Sequence, residues 1–113
     1  MNYKIFSFFS GAGFLDYGFE SEGYDVVYVN EYHKPFLDAY KYTRKQLKIA
    51  KPQYGYYDGS ITDFSKSELN NSLTGFVNDS RKDGSLVGFI GGPPCPDFSV
   101  AGKNRGRHYE IQI

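Results

Sequence analysis

Apolar positions along the chain fall into short runs, each cut off by glycine, proline or a polar cluster, and the spacing within the runs alternates between strand-like and helix-like. Tyr3 to Phe9 is a compact apolar and aromatic run broken by Ser10-Gly11-Ala12-Gly13, which predicts a strand followed by a tight turn. Phe14, Leu15, Gly18 and Phe19 then carry helical spacing that ends near Gly23. Val26 to Val29 is a second β-branched run, stopped by Asn30-Glu31. Pro35 suits the first turn of a helix, whose apolar face would continue through Phe36, Ala39, Tyr40, Thr43 and Leu47. Pro52 to Gly59 has room for a short strand, and Ser65 to Leu73 predicts a helix with Ser65 as its candidate cap. Asn78 to Ser85 reads as a polar loop, and Leu86 to Ile90 as a last strand ended by Gly91-Gly92-Pro93-Pro94. From Gly102 to His108 the chain is basic and loop-like.

Strands alternating with helices predict a parallel sheet of βα units in an α/β fold. Ligands of such sheets sit at the C-terminal ends of the strands, where crossovers change direction. The unusual residues fall at those ends: the glycines after the first strand, Glu31 after the second, Ser60 near the third and Cys95 after the last. One shared site is therefore expected.

Composition narrows the picture. With 113 residues the chain is one domain at most, and its 40% hydrophobic content, with 11 Tyr and 10 Phe, supports a packed core rather than disorder. Thirteen basic and thirteen acidic residues give no net charge, so any nucleic-acid contact must be local or come from a second polypeptide. A single cysteine excludes an internal disulfide framework and a multi-cysteine zinc site. No metal site is expected. The absence of a basic n-region before the apolar run Ile5 to Phe9, and of any apolar stretch near the ~18 residues of a membrane span, predicts a soluble, cytoplasmic protein.

Gly11 and Gly13 stand where a strand turns into a helix, a place where glycine allows a tight turn and close approach of a ligand to backbone N–H groups. Glu31 follows Gly11 by 20 residues, a spacing that suits a carboxylate accepting hydrogen bonds from ribose hydroxyls. The alternative is a structural glycine turn with a solvated acid. A dinucleotide fingerprint would place a third glycine at position 16, where this chain has Asp16; an acid near a pyrophosphate disfavours NAD and fits a nucleoside without phosphates, such as S-adenosylmethionine. Cys95 lies between Gly91-Gly92-Pro93-Pro94 and Pro96-Asp97-Phe98-Ser99. A lone cysteine is commonly an inert buried residue. Here, flanking prolines would hold the thiol in one place at the mouth of the sheet, and Lys103, Arg105 and Arg107 downstream would favour its thiolate.

Phe9-Ser10-Gly11-Ala12-Gly13, Asn30-Glu31-Tyr32, Gly59-Ser60-Ile61 and Gly92-Pro93-Pro94-Cys95 through Phe98-Ser99 resemble, in order, the first four conserved blocks of DNA (cytosine-5) methyltransferases. The resemblance implies a Rossmann-like S-adenosylmethionine-dependent methyltransferase fold, here an incomplete parallel sheet with flanking helices. It implies that Phe9 and the backbone of Gly11, Ala12, Gly13 and Phe14 surround the methionine end of the cofactor, that Glu31 binds the ribose, that Tyr32 stacks on adenine, and that Ser60 and Ile61 line the adenine pocket, with Pro94 also at the cofactor. Cys95 would attack C6 of a flipped-out cytosine, while Ser99 and Lys103 would lie near the backbone of double-stranded DNA, Lys103 as a phosphate contact. The chain departs from the family pattern at Ser7, usually an acid, at Phe14, usually glycine, at Ser60, usually Asp, and at Pro96, usually Gln. Its 113 residues contain no Glu-Asn-Val block, no arginine-bearing block, no target-recognition region and no C-terminal block that completes the cofactor pocket. Residues 1–113 thus read as the N-terminal portion of a catalytic domain, either a truncated product or one part of a split restriction-modification methyltransferase with a complementing C-terminal polypeptide. The rival readings are a tRNA cytosine-5 methyltransferase, a non-catalytic nucleoside-binding fragment and, third, a nicotinamide-binding domain.

Overall fold

The computed structural model describes residues 2–92. Four strands, β1 (Tyr3–Phe8), β2 (Asp25–Asn30), β3 (Tyr56–Tyr57) and β4 (Leu86–Gly91), form one parallel sheet in the order β3-β2-β1-β4. The helices α1 (Phe14–Ser21), α2 (Lys34–Gln46) and α3 (Ser67–Ser80) occupy the crossovers, with a 3-10 turn at Ile61–Ser65 ahead of α3. The chain steps from β1 outward through β2 to β3, then returns to place β4 on the other side of β1. The crossover direction therefore reverses between β1 and β4, which is where a parallel sheet opens a crevice at its strand ends.

Alternation along β1 divides two cores. Ile5 joins Val26, Val29, Leu37 and Tyr40 on the face covered by α2, while Phe6 and Phe8 join Val27 and Tyr28 on the face covered by the 3-10 turn and α3. A register shift between Ile5 and Phe6 lets β2 pass one extra residue, so that the adjacent Val27 and Tyr28 serve the same face. The second core is largely aromatic: Phe6, Phe8, Tyr28, Tyr54, Phe64 and Phe76 pack with ring centroids 4.7–6.4 Å apart. Such pairs add to the stabilisation from area burial alone.

Two helices differ from the sequence expectation. The buried stripe of α2 is Leu37, Tyr40 and Arg44, whereas Phe36 and Leu47 are exposed. The helical period is right but its phase is shifted, because Arg44 is buried through an ion pair that hydropathy does not register. Helix α3 begins at Ser67 and runs to Ser80, beyond Leu73, taking in Asn78 and Asp79 from the expected loop. Leu73, Phe76 and Val77 pack on the sheet at helical spacing, and that tertiary gain outweighs the low helix propensity of the Asn and Asp around them. Ser65 does not cap α3; its hydroxyl donates to the Thr62 carbonyl, and Ser60 caps the 3-10 turn. Among the described residues no helix is long and apolar enough to cross a membrane.

Candidate functional site

The crevice beside the end of β1 is shaped by backbone conformations that few residues adopt. Phe9 leaves the strand at φ 53, a left-handed conformation rare for a bulky side chain, followed by Gly11 at φ 58 and Gly13 at φ 100. Gly13 is also sterically required. A Cβ there would lie 2.7 Å from Tyr40 Cδ2 and 2.8 Å from Tyr17 Cζ. Gly13→Ala should lower stability by about 2–4 kcal/mol, overpacking adding to backbone strain, as read by chemical denaturation; a loss under 1 kcal/mol would show that the turn repacks freely. On the far side of the crevice Gly91 fits against the Phe8 carbonyl, 3.0 Å from where a Cβ would stand, and this brings the end of β4 to the turn.

Glu31 closes the crevice from β2. Its two carboxylate oxygens accept hydrogen bonds from the backbone N–H of Gly11 at 2.8 Å and of His33 at 2.7 Å, so one acid fixes both the glycine turn and the entry to α2. A carboxylate has about four acceptor positions. Two remain for a ligand's hydroxyls, which is the donor set a ribose diol presents. Beside it, Asn30 donates through Nδ2 to the carbonyls of Tyr57 and Gly59, at 2.9 and 2.8 Å, and holds the segment carrying Ser60 and Ile61 against the end of β2. The Ser60 hydroxyl is engaged locally, accepting from the Thr62 N–H and sharing a hydrogen bond with the Thr62 hydroxyl.

Two adjoining cavities result. One of about 430 Å³ is lined by Phe9, Gly11, Glu31, Tyr32, His33, Phe36, Ser60, Ile61 and Gly92. The other, about 210 Å³, runs along the turn from Ser7 to Asp16 and meets the first at Phe9, Gly11 and Gly92. Together they are the size of a small-molecule site. Phe9, Gly11, Ala12, Gly13, Phe14, Glu31, Tyr32, Ser60 and Ile61, all singled out from the sequence, line one or the other. Tyr32 keeps 72% of its surface exposed at the rim, open for a planar ring to stack on. Cys95, Pro94, Ser99, Lys103, Arg105 and Arg107, with the basic stretch from Gly102 to His108, lie outside the described residues.

His33, Phe36 and Asn30 were not singled out as site residues from the sequence. His33 and Phe36 pack edge to face, centroids 4.5 Å apart, on the cavity wall. Phe36 was expected on the buried face of its helix, and no local signal separates it from the core position Leu37. Asn30 did carry a signal, a polar residue at the last position of a buried strand, where an amide must find partners.

Asp16 is corrected by the structure. It borders the smaller cavity, but its carboxylate faces the core, the residue is 1% exposed, and its oxygens accept from the Ser7 hydroxyl at 2.8 Å and the Tyr40 hydroxyl at 2.6 Å. It tethers α1 to β1 and α2 rather than meeting a ligand phosphate, and Ser7 serves the same tether. Arg44 extends the network, donating to Glu20 at 2.7 Å, to the Ala50 carbonyl at 2.7 Å and to the Tyr40 hydroxyl at 3.4 Å. Burial pushes the Asp16 carboxyl above its ordinary 3.8, against the hydrogen bonds from Tyr40 and Ser7 that lower it. An acid with a raised folded-state pKa binds its proton more tightly in the folded chain, so its contribution to stability is present below pH 3.8 and lost as pH rises through the folded value. The stability difference between Asp16→Asn and the parent chain should therefore move in favour of the variant across that window, read by denaturant unfolding; parallel pH curves would refute the assignment.

Comparison with known proteins places the chain in a family. The family model for C-5 cytosine-specific DNA methylase matches residues 3–111, nearly the whole chain. The chain belongs to this family. It is 58% identical over 106 residues, 94% of its length, to the type II methyltransferase M.NmeDI of Neisseria meningitidis serogroup C, and 36% identical over 103 residues, 91% of its length, to M.FnuDI of Fusobacterium nucleatum. The DNA (cytosine-5-)-methyltransferase M.ApeKI of Aeropyrum pernix is 35% identical over 102 residues, 87% of the chain. These alignments cover 25%, 24% and 20% of the relatives, so the methylase segment spans about a quarter of their length or less. No solved structure matches it.

Proposed function

We propose that this methylase segment is the N-terminal, cofactor-binding and nucleophile-bearing part of an enzyme that transfers a methyl group from S-adenosylmethionine to C5 of cytosine in DNA. The observation that carries the proposal is the lining of the two joined cavities: nine residues chosen for the cofactor from three separate stretches of sequence converge at the point where the crossover direction reverses. The order β3-β2-β1-β4 is that of one half of a doubly wound sheet with its continuation, which supports a Rossmann-like fold. The family description and the name of M.ApeKI speak of DNA, which favours DNA over tRNA as substrate.

In this reading Glu31 offers its free acceptor positions to the ribose, Tyr32 stacks on the adenine, Ser60 and Ile61 border that ring, and the turn from Phe9 to Phe14, with Pro94, surrounds the methionine portion. The cofactor supplies an electrophilic methyl group. Cys95, as thiolate, bonds to C6 of the flipped cytosine and makes C5 nucleophilic; after C5 takes the methyl group, its proton leaves and the C6–S bond breaks, returning the thiolate. Ser99 and Lys103 contact the DNA backbone. The segment acts together with a C-terminal portion, in the same polypeptide or in a complementing one.

Glu31→Ala should weaken S-adenosylmethionine binding by about 5- to 150-fold, the equivalent of losing about 1–3 kcal/mol of hydrogen bonding. Calorimetry on folded protein measures this, with NAD as the competing ligand. Because Glu31 also holds Gly11 and His33, melting temperatures and a Glu31→Gln variant accompany the titration. An unchanged affinity, or tighter binding of NAD, would overturn the cofactor assignment.

A further inference from the structure

A separate cavity lies at the other end of α2. The chain is neutral overall, yet between Asp38 and Asp58 it carries no acid and five cations, Lys41, Arg44, Lys45, Lys48 and Lys51. The fold gathers four of these around one space. Helix α2 ends in a reversal in which Lys48 takes the left-handed conformation at φ 57, the Lys48 N–H bonds to the Lys45 carbonyl, and the Ile49 N–H bonds to the Arg44 carbonyl at 2.8 Å. Arg44 then clasps the returning chain by donating to the Ala50 carbonyl, which sets Lys51 beside the helix. The outcome is a cavity of about 520 Å³ lined by Lys41, Arg44, Lys45, Ile49, Lys51 and Tyr56.

Apart from that of Arg44, which pairs with Glu20, its charge is unspent. Among the described residues Lys41, Lys45 and Lys51 form no ion pair, and Lys41 Nζ sits 4.9 Å from the centre of the Tyr56 ring. Arg44 is 4% exposed, and its Nε is the one buried side-chain polar atom among the described residues without a hydrogen-bond partner. Cations in a last helical turn are favoured by the helix dipole, which accounts for Arg44 and Lys45. That effect does not account for Lys51 beyond the helix or for Lys41 a turn earlier. The cavity is also separate from the crevice at Glu31, with which it shares no lining residue.

We propose that this cavity binds a phosphate ester, with Lys41, Lys45 and Lys51 around the anion and the Tyr56 ring and Ile49 against its organic part. The chemistry is met equally by a free sugar phosphate and by a phosphodiester of a DNA backbone. The site does not depend on the methyl-transfer reading. The test is heteronuclear NMR on the whole chain, following the Arg44 Nε–H and Tyr56 ring signals during titration with ribose 5-phosphate and, separately, with a short DNA duplex. Saturable shifts are expected with one or both probes, weakened at least tenfold in Lys41→Gln/Lys51→Gln and restored in Lys41→Arg/Lys51→Arg, while the Gly11 amide stays in place. Saturation by the sugar phosphate identifies a free ester as sufficient, and a response to the duplex alone identifies the backbone as the source. Shifts with neither probe, a glutamine variant that binds like the parent, or shifts centred on Gly11 would overturn the site.

Discussion

Cys95→Ala is expected to abolish methyl transfer in the complete or complemented enzyme, by at least about 10⁴-fold, while leaving S-adenosylmethionine binding nearly intact. The asymmetry follows from the division of labour proposed above. In that proposal the thiolate makes the covalent bond to C6, whereas the two cavities assigned to the cofactor are built from the ends of β1 and β2, the segment around Ser60 and Gly92. Duplex DNA bearing 5-fluorocytosine should trap a stable adduct, because fluorine blocks loss of the C5 substituent that precedes release of the enzyme. Peptide mapping would then place the label on Cys95. An active alanine variant, or a label on another residue, would mean the nucleophile has been misassigned.

The second large effect concerns the 113 residues as an isolated polypeptide, which should transfer no methyl group to DNA. Catalysis needs a thiolate, a methyl donor and an acid at N3 of the base held within about 3–3.5 Å of their reacting partners. In the proposed reading these residues supply the first and much of the pocket for the second. Asp97 and Glu110 do not stand in a motif resembling the block that supplies the third. Flipping a base also costs a few kcal/mol, recovered only through a wide contact surface. With no net charge, DNA binding by the segment should be weak, non-specific and salt-sensitive. Labelled methyl transfer to mixed-sequence duplex, with and without a C-terminal fragment, decides the matter: activity only on complementation fits the proposal, and robust activity of the 113 residues alone refutes it.

The sheet and the crevice were legible in the sequence for reasons that are local. The runs Tyr3 to Phe9, Val26 to Val29 and Leu86 to Ile90 are short, apolar and punctuated, and a parallel topology puts their C-terminal ends together. Glu31 was legible because its distance from Gly11 is one βα unit. What escaped were residues whose environment is set by a distant partner. Arg44 is hydrophilic by every scale, yet it is buried because Glu20, 24 residues earlier, neutralises it. Asp16 looked like a ligand-facing acid until Tyr40 and Ser7 claimed its oxygens. Helix α3 outran its expected end because Phe76 and Val77 find the aromatic core, a contact no window of sequence contains.

The position of β1 has a consequence for how the segment reaches its fold. This first strand is central, flanked by β2 and β4, and its pairing of Tyr3 with Leu86 joins residues 83 apart in sequence. A nascent chain can pair β1 with β2 early, but the other edge of β1 stays open until β4 is made. Closing so long a loop costs entropy before any contact rewards it, which slows folding relative to a helical protein of this size. During that interval Phe6 and Phe8 line an incomplete core next to an unpaired strand edge, the kind of surface that aggregates. Synthesis rate and chaperone supply should thus govern the yield of folded protein more than its final stability does.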